Sequence, residues 1–443
     1  MKKVLLLAFV FISVLLHAQE GQKYLIKAGK LFDSETGQFK TGMSILVNNS
    51  LIEAVKPDKE VTAAERKIFT LIDLSRYTIL PGLIDCHTHL LNREVLHPTD
   101  NDLPGLDMAK VLTMDGDAYR AIYGSVRAKA YLEAGITSVQ DLGNSGQFAD
   151  IALQRAINEG LVPGPRMNCA GQGLSTEGGQ LPGLIFKHQH LVNDEYRIIK
   201  NADDAVQAVR ENVNQGANVI KIYANNTPNN TMLRIDEIKA ITQEAHRYNI
   251  RVTAHATNNV SVYNAITGGV DGIEHAYGVA DTTLELMAKK GVVLIPTDLD
   301  SVMYARYFNL THSGDTAGLY QVARFRKRLS NRLQRAINKG VTIAFGSDDY
   351  LDLKMPFAEP SKRTLIGYFE AGVAIPMVLQ FATINAAKQI NQGNQLGILK
   401  PGFLADIIAV DNDLDKNIHA ILQVHFVMKD GKVYVNRSRH LFY

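Results

Sequence analysis

With 443 residues, 46% of them hydrophobic, the chain can bury a large core in one big domain or two ordinary ones, which excludes a disordered chain. Its 47 Lys and Arg nearly balance 45 Asp and Glu, so the charge carries no footprint of a nucleic-acid binder.

Lys2 and Lys3 precede an apolar run over 4–16 and then Ala18, the order of a secretory signal peptide at residues 1–18. A membrane-spanning helix needs roughly 20 apolar residues, so no span is expected, and the alternative is a buried N-terminal strand. Cleavage after Ala18 predicts a periplasmic or secreted protein. It removes two lysines and leaves basic and acidic residues equal in number. No cysteine stands near that point to carry a lipid anchor. The two cysteines, Cys86 and Cys169, fall on predicted strands that are not neighbours, so free buried thiols are expected.

Short apolar runs at 24–28, 43–47 and 51–54 are separated by Gly, Asn and charged residues, the pattern of small antiparallel strands. The same texture returns at 405–410 and 424–435, the latter broken by Lys429, Asp430 and Gly431. Residues 19–77 and 391–443 are therefore expected to meet in one composite β domain. Between them, residues 78–390 alternate β-branched runs with helical stretches, which predicts βαβ units and a parallel sheet. The strands are expected at 78–85, 137–142, 166–170, 217–223, 251–255, 272–276, 292–296 and 341–346. Helices are expected at 203–215, 235–248, 281–290 and 320–339, with Gly216, Gly291 and Gly340 as C-caps. Eight such units fit a (β/α)8 TIM barrel. A doubly wound open sheet is the competing fold, because periodicity alone does not say whether a sheet closes.

In a barrel of this kind the chemistry lies at the C-terminal ends of the strands. His87 and His89 follow the first strand, Lys221 lies near the end of the fourth, His255 ends the fifth, His275 ends the sixth and Asp348 follows the eighth. Strand residues two apart share a face, so the His87-Thr88-His89 motif can present two imidazoles to one ion. Each histidine alone would more often be a satisfied core residue, and Asp348 alone could cap a loop. Their convergence from separate strands points to a metal. Lys221 sits in the apolar run Val219-Ile220-Lys221-Ile222, and burying an unpaired ammonium costs several kcal/mol. It needs a carboxylate partner or a chemical change that removes its charge.

The stretches PGLIDCHTHL (81–90), EAGITSVQDLG (133–143), GANVIKIY (216–223), VTAHATN (252–258), DGIEHAYG (271–278), IAFGSDD (343–349) and LGILKPGFLADIIAVD (396–411) resemble the amidohydrolase superfamily. The likeness covers nearly the whole mature chain and is greatest to the imidazolonepropionase-like and Xaa-Pro dipeptidase branch. It implies a barrel carrying a β-sandwich built from both chain ends. It also implies an N-carboxylated Lys221 bridging two divalent ions, usually zinc, with His87, His89 and Asp348 on the buried ion and His255 and His275 on the exposed one. Asp348 would be the catalytic base and acid, taking a proton from a bridging hydroxide's parent water and returning it to the leaving nitrogen. Tyr223 resembles the position from which family members contact a substrate carboxylate, with plain packing as the alternative. Gln180, in the loop 175–180, replaces a histidine common among relatives, which bears on substrate identity. His188 and His190 form a second HxH in a Gly-rich loop and are expected to be exposed loop residues.

The expected activity is cleavage of the amide bond of dipeptides or N-acyl amino acids that carry a free carboxylate. A one-metal cyclic-amide hydrolase or deaminase of the imidazolonepropionase kind is the alternative, with Lys221 the feature that favours two metals. A secreted binding protein that has lost catalysis is the non-enzymatic alternative. The expected partner is a small molecule or dipeptide. Homo-oligomers are common in the family, but no number follows from this sequence.

Overall fold

The computed structural model describes residues 22–96, 110–181, 184–227, 229–311 and 316–438, so the segment read as a signal peptide lies outside the described residues. Strands β1 (Lys23–Asp33), β2 (Gln38–Thr41), β3 (Met43–Asn48), β4 (Leu51–Pro57) and β5 (Thr70–Pro81) come from the N-terminal part of the chain. They join β15 (Ile407–Asp411), β16 (Val424–Lys429) and β17 (Lys432–Asn436) in one eight-stranded, sandwich-like sheet. Its order is β17-β16-β15-β5-β1-β3-β4, with β2 on β1. Alternation along β1 explains its two covered faces. Leu25 packs with Leu46, Val61 and Phe69 on one side, and Ile26 with Ile45, Ile72 and Phe426 on the other. Asp430 (φ 51°) and Gly431 (φ 73°) make the turn of the β16–β17 hairpin, where left-handed backbone matches the strand twist.

The barrel strands are β6 (Leu83–Thr88), β7 (Ile136–Asp141), β8 (Arg166–Cys169), β11 (Ile220–Tyr223), β12 (Val252–Asn258), β13 (Gly272–Gly278) and β14 (Val293–Ile295). Neighbours β6-β7-β8 and β11-β12-β13-β14 pair in parallel. The ring closes through the backbone. Asn218 N donates to Cys169 O at 3.1 Å between β8 and β11. Leu294 N donates to Thr342 O at 2.9 Å, and Cys86 N donates to Phe345 O at 2.9 Å, which joins β14 to β6 through the segment 342–345. The fold is thus a distorted TIM barrel with an added β sheet, and the open-sheet alternative is excluded.

Three local expectations need correction. The strand expected at 78–85 is two strands, because residues through Pro81 pair with β15 in the other sheet and the barrel begins after Gly82. The stretch 341–346 makes only the Leu294↔Ile343 bridge, so it closes the ring as an extended segment rather than as a full strand. Two short strands were not anticipated: β9 (Gly173–Ser175) pairs with both β11 and β10 (Tyr196–Ile198). The expected C-caps hold: Gly216 (φ 106°) and Gly291 (φ 69°) end their helices in the left-handed region. Cys86 and Cys169 are buried free thiols with β7 between their strands. Among the described residues no helix is long and apolar enough to cross a membrane.

Gly82 is the joint between the two sheets, and a Cβ there would overlap the Thr137 side chain of β7. Gly82→Ala should therefore cost about 1–3 kcal/mol as an overpacked core position. Differential scanning calorimetry should show a midpoint several degrees lower; an unchanged midpoint would mean that the joint tolerates a side chain.

Candidate metal centre

The HxH motif ends β6, and three buried acids set its position. Asp85 accepts from His87 N (3.1 Å) and from Ser347 N (2.9 Å), and its other oxygen accepts from Ser361 Oγ (2.6 Å). It thereby ties the first barrel strand to the segment that carries Asp348. Asp141, at the end of β7, accepts from Thr88 Oγ1 (3.0 Å) and from Leu90 N (2.7 Å), holding the residue between the histidines with its side chain turned away from them. Glu274 of β13 accepts from Thr253 Oγ1 and meets His87 Nδ1 at 2.7 Å. Burial pushes the Asp85 and Glu274 carboxyls up to about 7.

These contacts decide which ring nitrogens are free. His87 Nδ1 is engaged by Glu274, and His89 Nδ1 lies 2.8 Å from the Gly143 carbonyl, so each imidazole carries its proton on Nδ1 and turns Nε2 inward. The two Nε2 atoms stand 3.2 Å apart, each 3.3 Å from Asp348 Oδ1. Two lone pairs and a carboxylate oxygen this close repel unless a proton or a cation lies among them, and imidazoles oriented through Nδ1 by a carboxylate or carbonyl are the usual supports of a metal-binding pair. Among the described residues, one group of metal-ligating side chains has donor atoms all within 4.8 Å of one another: His87, His89 and Asp348. The residues fit a divalent ion.

Asp348 reaches this point with left-handed backbone (φ 55°), its N–H donating to His87 O at 2.8 Å. Burial would raise its carboxyl, but His87, His89 and Lys221 outweigh that and hold it below the usual carboxylate range. His275 (φ 72°), Ala276 (φ 49°) and Thr297 (φ 58°) share the left-handed conformation. Such backbone costs about 1–3 kcal/mol per residue and gathers at functional sites. At His275 it has a clear use. Glu274 points into the barrel to reach His87, so ordinary alternation would turn His275 outward; the break in alternation brings its ring back to 5.3 Å from that of His87.

The expected two-ion centre bridged by N-carboxylated Lys221 is not what these side chains form. Lys221 Nζ lies 3.4 Å from His87 Nε2. Burial lowers its pKa, while the charges of Glu274 and Asp348 pull the other way without outweighing it. His275 Nδ1 meets Thr297 Oγ1 at 2.8 Å and the Tyr277 hydroxyl at 3.2 Å. His255 Nε2 meets Thr227 Oγ1 at 3.4 Å. Their donor atoms do not join the triad, and a single-ion site is what remains. Burial pushes the His87, His255 and His275 imidazoles well below their ordinary pKa, which keeps them neutral.

Tyr223 is buried, donates its hydroxyl hydrogen to Asn144 Oδ1 at 2.9 Å and packs against the rings of Tyr196 and His255. Gln180 ties two loops together, donating to Asn225 O and accepting from Thr227 N. His188 and His190 lie exposed on a 3-10 turn, as expected. Sequence reasoning missed Asp85, Asp141 and Glu274. Their signal was present, since an acid inside an apolar strand must find a partner. A cavity of about 810 Å³ opens beside Asp348, within the size range of small-molecule sites.

The model of the Amidohydrolase family matches residues 78–434, which spans the whole barrel and the returning strands. The chain belongs to the amidohydrolase family. This amidohydrolase stands in the branch that holds imidazolonepropionases and Xaa-Pro dipeptidases, and it is a metal-assisted hydrolase of carbon–nitrogen bonds. It is 26% identical to the ochratoxinase of Aspergillus niger over 95% of this chain and 88% of that one. It is 25% identical to an imidazolonepropionase of Streptococcus pyogenes serotype M4 over 90% and 91%. The solved structure of a Xaa-Pro dipeptidase with methionine bound in its active site superposes with a TM-score of 0.78 at 26% identity, covering 94% of this chain and 100% of that one.

If Glu274 orients the His87 ligand, Glu274→Ala should weaken divalent-metal affinity by about 10–100-fold, and Glu274→Gln, which keeps a hydrogen-bond acceptor, should weaken it less. Competition against a chromogenic chelator measures both. Wild-type affinity in Glu274→Ala would remove the carboxylate from the site's support.

Proposed function

We propose that this amidohydrolase cleaves an amide bond of a small substrate, in a ring or in an N-acyl amino acid, at one divalent ion held by His87, His89 and Asp348. The observation that carries this reading is the single convergence of two Nε2 atoms and Asp348 Oδ1, with both Nδ1 atoms already committed. The one-metal alternative drawn from the sequence is therefore preferred to the two-metal dipeptidase. Resemblance to imidazolonepropionases supports the ring amide, and resemblance to a Xaa-Pro dipeptidase supports the open one. Export of the mature chain is part of the same reading and rests on residues 1–18.

A divalent ion in that triad supplies Lewis acidity toward a carbonyl and lowers the pKa of water. The protein's own groups do the rest. Asp348, anionic and lining the cavity, accepts a proton from the attacking water and returns it to the departing nitrogen. An amine leaves poorly without that proton. His255 and His275, neutral and edge-to-face with ring centroids 4.7 Å apart, are assigned to the substrate rather than to the ion. Lys221 stands beside His87, where burial lowers its pKa and the charges of Glu274 and Asp348 partly offset that.

Elemental analysis of the purified protein should find one divalent ion per chain; two would defeat the one-metal reading. His87→Ala should lose both the ion and amide hydrolysis. His255→Ala should keep the ion and lose about 10-fold or more in kcat/KM, the scale of a removed hydrogen bond in catalysis. Loss of the ion in His255→Ala would make that residue a ligand.

A further inference from the structure

The cavity beside Asp348 is walled on one side by the helix Thr316–Asn338, the segment that follows β14 around the barrel. Arg324 and Arg328 line it one helical turn apart, and so do Phe325 and Leu329 beside them. Tyr277, Tyr304 and Tyr307 add aromatic lining, with the Tyr277 and Tyr304 rings edge-on to Phe325 at 6.0 and 6.2 Å. Three other arginines of this helix each meet a carboxylate: Arg326 meets Glu370 at 2.6 Å, Arg332 meets Asp298 and Arg335 meets Asp281. Among the described residues, Arg324 and Arg328 meet none, and Arg328 lies over the Phe325 ring at 5.1 Å from its centroid. Arg324 and Arg328 are exposed, whereas Asp348, lining the same cavity, is half-buried. Tyr223, the position that family resemblance suggests for a substrate carboxylate, spends its hydroxyl hydrogen on Asn144 and is absent from this wall.

We propose that Arg324 and Arg328 form the recognition site for a carboxylate on the substrate, with Tyr277, Tyr304, Tyr307 and Phe325 holding an aromatic or apolar body between that carboxylate and the scissile amide. The inference rests on the reading of the site as an amide hydrolase, and it selects N-acyl amino acids bearing large apolar side chains as the substrate class. Paired guanidinium groups suit a planar carboxylate because their N–H donors match its two oxygens. Unmet arginines beside an apolar cavity leave that match to the ligand.

The test compares N-benzoyl-phenylalanine with N-benzoyl-phenylalaninamide, which differ in the carboxylate alone, on the metal-loaded full chain. If the pair is turned over, the ratio of KM values is read, with kcat alongside; if not, the same pair is titrated by calorimetry. Wild type should favour the acid by about 10-fold or more, the scale of a charge-assisted hydrogen bond. The preference should weaken with added salt. Arg324→Ala/Arg328→Ala should lose the preference, and Lys327→Ala, exposed on the same helix, should keep it with kcat near wild type. Equal affinity for acid and amide in wild type, or a preference surviving in the double variant, overturns the proposal. Absence of turnover with the arginine-dependent preference intact would instead defeat the hydrolase reading and leave the recognition site standing.

Discussion

The seam between the last and first barrel segments is the constraint on which the rest of the molecule depends. Cys86 N donates to Phe345 O, Asp348 N donates to His87 O, and Asp85 accepts from Ser347 N across 262 residues of chain. These bonds close the ring and deliver Asp348 to the two histidines in one act. A barrel that failed to close would keep its HxH pair and lose the third ligand.

Electrostatic consistency accounts for the rest of the centre. Asp85, Asp141 and Glu274 are fully enclosed, and a buried carboxyl is tolerable where donors surround it. Each accepts from backbone or side-chain groups that also fix a metal-ligating residue, so the same hydrogen bonds that satisfy the acids aim the imidazoles. Lys221 fits the same balance. Burial lowers the pKa of its amine, and the charges of Glu274 and Asp348 partly offset that.

The barrel and its cavity divide the work between rigid and variable parts. The ligands sit at the ends of strands, where backbone pairing restricts them to one geometry. The outer cavity walls come from the helix Thr316–Asn338 and the segment near Tyr307, whereas Tyr277 shares β13 with Glu274 and ties the wall to the centre. Relatives at about one quarter identity, named for different substrates, are consistent with a common centre beneath divergent walls.

Much of this was legible in the sequence. The side-chain period of a strand places His87 and His89 on one face whatever lies around them, and the glycines after helices mark their ends because left-handed backbone suits glycine. The residue types at the strand ends pointed to a metal and, with the family motifs, to an amidohydrolase barrel. Tertiary structure alone decided that Thr78 to Pro81 belong to the other sheet, since β15 comes from the far end of the chain. It alone paired Glu274 with His87, because the left-handed turn at His275 breaks the alternation that sequence reading assumes. The grouping of donor atoms was of the same kind: local pattern tells which face a side chain takes, but the distance between donor atoms on different strands depends on how the barrel closes, and among the described residues closure brings three of them together.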